Sequence, residues 1–132
     1  MKWAVIDLVT AVISVAFRHR NKHSKTTKNQ MTNSFIKDNF LYYTAAGKAP
    51  QHLRKYVFEI RQSGYNDYRA YIKDSPSYEK RCTSTHDTHR NFDKGEYYVD
   101  WSTAIKSTEE AEMVAKFWAD LNQQYIETGA RF

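Results

Sequence analysis

The stretch "YYVDWSTAIKSTEEAEMVAKFWADLNQQYIETG", Tyr97 to Gly129, constrains the fold more than any other part of the chain. Ser107 and Glu110 form an S-x-x-E capping box, in which each side chain satisfies a backbone donor that the first helical turn leaves unpaired. Ala111, Val114, Phe117 or Trp118, Leu121 and Tyr125 then recur at helical spacing, and Gly129 stands where a left-handed residue ends a helix. One apolar stripe cannot stay in water, so this helix must cover something. The residues just before it supply a candidate: Tyr97, Val99 and Trp101 alternate with Tyr98, Asp100 and Ser102, the period of a half-buried strand.

Upstream, "KYVFEIRQ" alternates Tyr56, Phe58 and Ile60 against Val57, Glu59 and Arg61. "YRAYIKD" alternates Tyr68, Ala70 and Ile72 against Arg69, Tyr71 and Lys73, with the turn-like "SGYND" between the two runs. These predict a hairpin. Before it, Phe35, Ile36, Phe40 and Tyr43 recur at helical spacing behind Thr32, Asn33 or Ser34 as a cap, and Gly47 and Pro50 follow, which predicts a short helix. Between Ser75 and Gly95 the pattern lapses into polar residues and predicts a long loop. The expected class is α+β: a three-stranded antiparallel sheet packed on a C-terminal helix, with a short helix before the sheet and an apolar N-terminal helix. Residues 1–30 are expected as an apolar helix plus basic linker, and 31–132 as a single α+β domain.

That N-terminal helix is "WAVIDLVTAVISVAF", apolar except at Asp7, Thr10 and Ser14, which share a stripe. Its fifteen residues reach roughly 22 Å against a hydrocarbon core of ~30 Å, and Asp7 lies near its middle, so a membrane span is not expected. A secretory signal fits poorly as well, with only Lys2 ahead of the run. Three roles stay open for this helix: a docking or dimerising helix through which homo-oligomers can form, a membrane-associated anchor whose basic flank meets anionic headgroups, or a loosely attached segment. The single cysteine, Cys82, leaves no internal disulfide to form, and the expected location is cytoplasmic.

The formal charge of +5 is unevenly placed. "RHRNKHSKTTK" carries Arg18, Arg20, Lys22, Lys25 and Lys28 without an acid, and from Met31 onward basic and acidic side chains balance. That segment is the candidate for electrostatic nucleic-acid affinity. On the sheet, Arg61, Arg69, Lys73, Tyr71 and Tyr98 are expected on the face away from the core, interleaved with Glu59 and Asp100. Bases stack on aromatic rings and phosphates pair with Arg or Lys, so this face is a second nucleic-acid candidate, and one that suits a protein partner equally.

"CTSTHDTHR" gathers Cys82, His86, Asp87 and His89, and its His-x-x-His with a Cys four residues earlier is able to supply three zinc ligands, but no second Cys or His pair follows. His86-Asp87-Thr88 is a lone H-x-T triplet, whereas phosphoesterases that use such triplets pair two of them. Glycine-rich phosphate loops and nucleophile elbows are missing from the sequence. No catalytic residue, metal or cofactor is expected.

The strand-strand-strand-helix order, with Ile105, Ser107, Glu109, Glu110 and Ala111 in "WSTAIKSTEEAEMVAKFWADL", resembles the small DNA-binding domains of the Apetala type and the arm-binding modules of phage integrases. The likeness spans Tyr56 to Tyr125. It implies a sheet lying in the major groove, with Arg61, Arg69 and Lys73 as strand contacts. The helix-β-β-β-helix order is also similar to double-stranded RNA-binding domains, although Glu109, Glu110 and Glu112 stand where those are basic. The expectation is a small non-enzymatic binding protein, a nucleic-acid-binding accessory protein of a mobile element. The alternative is a phage-type inhibitor or adaptor that binds a host protein through the Tyr-rich face and the 75–95 loop.

Overall fold

The period-two alternation that marks the central hairpin extends through most of the body. In the computed structural model, residues 33–132 are described. They form six strands, β1 (Ser34–Lys37), β2 (Phe40–Thr44), β3 (Lys55–Gly64), β4 (Asp67–Asp74), β5 (Arg90–Asp93) and β6 (Glu96–Val99), with a single turn α1 (Thr85–Thr88) and a long helix α2 (Thr108–Thr128). All neighbouring strands are antiparallel, in the order β1-β2-β3-β4-β6-β5.

The expected α+β class stands, but the three-stranded sheet is corrected to six strands. The short helix expected through Phe35, Ile36, Phe40 and Tyr43 is instead the β1/β2 hairpin. Phe35, Ile36, Phe40 and Tyr43 mimic helical spacing because the turn at Asp38 and Asn39 shifts the phase of the alternation. Asp38 takes a left-handed φ of 57°, and beyond it Leu41 and Tyr43 point inward while Phe40 and Tyr42 point out. Aromatic residues fit a pleated surface, and here tertiary pairing with β3 decides.

The predicted loop from Ser75 to Gly95 is also corrected, because it contains α1 and β5. Lys94 and Gly95, with φ of 50° and 82°, make the tight turn into β6 that twisted hairpins favour. β6 begins at Glu96 and ends at Val99, so Trp101 lies past the strand. The apolar helix and basic linker of residues 1–30 lie outside the described residues.

α2 packs on one face of the sheet. Leu41, Tyr56, Phe58, Ile60, Ala70 and Val99 meet Ala111, Val114, Ala115, Trp118 and Ala119 in a single core. The Ser107 half of the predicted cap is present, with Oγ accepting from the Glu110 N–H at 3.1 Å, whereas the Glu110 carboxylate reaches one residue past the cap and accepts from the N–H of Lys106 at 3.2 Å. Gly129, with φ of 79°, closes the last turn by donating to the Tyr125 carbonyl at 2.8 Å. Among the described residues no helix is long and apolar enough to cross a membrane.

Candidate interaction surface

The face of the sheet turned away from α2 follows from strand register. Glu59 pairs with Tyr71 and Tyr71 with Tyr98, so these three form one row across β3, β4 and β6, and Arg61 opposite Arg69 forms the next. Lys73 lies two residues beyond Tyr71 on β4, and Glu96 two before Tyr98 on β6, so both share that face. Arg61, Arg69, Lys73, Tyr71 and Tyr98 are therefore brought together, as their alternation requires.

Carboxylates occupy the cations. Arg61 donates to Glu59 at 2.8 Å and to Glu96 at 2.6 Å. Lys73 lies 2.7 Å from Glu96 and 3.7 Å from Glu59, and Arg69 is 3.3 Å from Asp93. Three cations thus face three carboxylates. Asp100, expected among them, accepts from the Asn91 side chain at 2.9 Å instead.

The guanidinium groups also cover the rings. Arg61 sits 3.7 Å above Tyr71, and Arg69 sits 4.3 Å above Tyr98, with the two rings 5.5 Å apart. Tyr71 is only 7% exposed in consequence, although it stands on the open face. Flat ring surface there is sealed by Arg, the arrangement expected of a rigid mosaic rather than of a platform open to a base. Beside Arg69, where β4 and β6 part after one paired position, a cleft of about 280 Å³ opens between Tyr68, Asn91, Tyr98 and Trp101.

The electrostatics agree with the distances. Hydrogen bonds from Arg61 and then Lys73 hold the Glu96 carboxyl down at about 2, from an ordinary 4.5. The hydrogen bond to Glu96 raises both Arg61 and Lys73, and the one to the Tyr71 hydroxyl raises Arg69. A group whose folded pKa is depressed adds stability above its unfolded value and loses it as pH falls toward the folded one. Glu96→Gln is therefore expected to lower the melting temperature at neutral pH. The gap from the unsubstituted protein should close between pH 4.5 and about 2, as thermal melts across that window will report.

The remaining candidates fall elsewhere. Arg18, Arg20, Lys22, Lys25 and Lys28 lie outside the described residues. Cys82 and His86 are exposed, whereas His89 is buried and bonds through Nε2 to the main-chain oxygen of Phe132. The Cys82 thiol hydrogen-bonds Asp87 and holds its carboxyl below the usual range. Among the described residues no three His, Cys, Asp or Glu side chains stand close enough to share a metal ion. Glu96 and Asp93 join this face without a sequence pattern that marks them as strand residues. The nearest signal is the alternation Glu96, Tyr98, Asp100, hidden because the residues before Tyr97 look like loop.

Compared with protein-family models, curated proteins and solved structures, the chain matches none.

Proposed function

We propose that residues 33–132 act as a non-enzymatic protein-binding module, an adaptor or inhibitor in kind, which meets its partner with the open sheet face. The pairing of Arg61, Arg69 and Lys73 with Glu59, Asp93 and Glu96 carries this reading. A phosphate approaching these cations has to displace carboxylates that already neutralise them, so the electrostatic gain that dominates nucleic-acid binding is largely cancelled. A protein partner gains instead from ordered Tyr and Arg side chains, the types that carry most binding energy in interfaces.

Nucleic-acid affinity has one favouring observation, the acid-free run from Arg18 to Lys28. We assign any such affinity to that run alone. The test is a fluorescence-anisotropy titration of labelled duplex DNA and RNA with the full chain at several salt concentrations. Replacing the five cations of the run with alanine is expected to abolish binding, and the salt slope of the unsubstituted chain should not exceed about −4.5. The R61A/R69A/K73A variant should bind within about twofold of the unsubstituted chain. A tenfold loss in that variant overturns the reading and returns the sheet to the nucleic-acid class.

A further inference from the structure

β1 ends the strand order, and its register tells which main-chain groups face outward. Thr44 donates to the Asn33 carbonyl at 2.8 Å, so that pair belongs to the hydrogen-bonded set of the ladder. Such pairs alternate along antiparallel strands. Phe35 opposite Tyr42 and Lys37 opposite Phe40 then also bond inward, and Ser34 and Ile36 point their N–H and C=O groups away from β2. Among the described residues no strand pairs with that outer side. Protein edges are commonly blunted by proline, by a bulge or by charge, and β1 carries only Lys37, next to the turn. Phe35 and Ile36 are 61% and 49% exposed, one on each face.

Each face offers a seat for an added strand. On the open face Phe35 stacks flat on Tyr42 with centroids 4.7 Å apart, a ledge for an apolar side chain. On the helix face a groove of about 180 Å³ runs between the β1/β2 turn and the start of α2. That is smaller than the roughly 300 Å³ at which small-molecule sites begin, and it suits one long side chain. Ile36, Leu41 and Ile60 give it apolar walls, and Asp38 and Glu112 add carboxylates. Burial pushes the Glu112 carboxyl up, Lys116 opposes this, and Glu109 adds to it. An apolar trough lined with acid complements a lysine or arginine, whose stem is apolar and whose head is cationic.

We infer that the outer edge of β1 takes an extended segment of a protein partner as a seventh strand, with a lysine or arginine of that segment in the groove between Ile36, Leu41 and Ile60. The inference rests on the protein-binding reading for the class of partner and adds a second surface to it. Backbone pairing along Ser34 and Ile36 supplies affinity, and the alternate side chains supply selectivity.

The test is a selection of a displayed library of random linear peptides on the full chain. The expected pool carries Lys or Arg next to a large apolar residue in an extended pattern. A peptide from it should bind about tenfold or more weakly to the D38N/E112Q variant. Ser34→Pro removes an outward N–H without touching the inward ladder and should weaken binding likewise. Circular dichroism confirms that each variant is folded, and Gln124→Ala, on the exposed side of α2, should leave the affinity unchanged. A pool without basic residues, affinities indifferent to D38N/E112Q and Ser34→Pro, or no enrichment at all would overturn the edge site. Peptides that depend on Arg69 and Tyr98 instead would overturn it while upholding the open-face reading.

Discussion

Trp118→Ala is expected to cost about 3–5 kcal/mol of folding stability. The indole is 2% exposed and meets Tyr56 and Phe58 edge-on, each with centroids 5.9 Å away. Its Nε1–H donates to the Thr88 carbonyl at 2.9 Å, so one side chain ties α2 to β3 and to α1. Alanine leaves a cavity and an unpaired carbonyl together. Domains of this size are stable by about 5–15 kcal/mol, so the variant will be partly unfolded if the protein sits at the low end. Urea titration followed by far-ultraviolet circular dichroism measures the loss, and Trp118→Phe should recover more than half of it. A loss under about 1 kcal/mol would mean that the helix does not seat on the sheet through this residue.

Asn122→Leu is expected to cost about 2–4 kcal/mol, although it replaces a polar residue in the core with an apolar one of similar size. Asn122 is fully buried; its Oδ1 accepts from the Tyr78 hydroxyl at 2.6 Å, and its Nδ2 donates to the Tyr56 hydroxyl at 3.0 Å. Tyr56 in turn donates to Gln123 Oε1 at 3.1 Å, and Gln123 donates to Glu127 at 2.7 Å. Glu127 then accepts from the backbone N–H of Lys48 at 2.8 Å. The chain of bonds runs from the 75–95 segment through the helix to the β2/β3 connection. Burial raises both phenols, Tyr78 to about 12 with Arg90 opposing, so these hydroxyls stay protonated and need partners. Leucine takes the acceptor from the Tyr78 hydroxyl and the donor from the Tyr56 hydroxyl, which keeps its own bond to Gln123. Adding Tyr78→Phe removes one stranded group and is expected to recover about 1 kcal/mol, a coupling that a double-mutant cycle will read. Simple additivity of the two losses would contradict the network.

What was legible in the sequence depended on whether local pattern and tertiary role agreed. α2 carried its own cap, stripe and stop. β3 and β4 alternated cleanly because each has one buried face, and the same period placed Arg61, Arg69 and Lys73 on one side. The β1/β2 hairpin was hidden by its turn at Asp38 and Asn39, which put four apolar residues at helical spacing. β5 was hidden because its inward residue is Arg90, buried by stacking 4.0 Å from Tyr97 and bonding to Thr88. No hydrophobic pattern announces a strand whose core residue is a cation. With β5 and the start of β6 unseen, Asp93 and Glu96 could not be counted, and the face looked more basic than it is. Asn122 and Gln123 were invisible for a related reason, since polar residues join an apolar stripe only when distant tyrosines meet them.

The central claim is that the open sheet face binds protein. A photo-crosslinking phenylalanine analogue placed at Tyr98, with the same group at the exposed Gln124 of α2 as control, tests it most directly in extract from the native cell. A discrete adduct from position 98 alone, destroyed by protease and untouched by nuclease, is the predicted result. A nuclease-sensitive adduct at position 98, or labelling that does not distinguish the two positions, would contradict it.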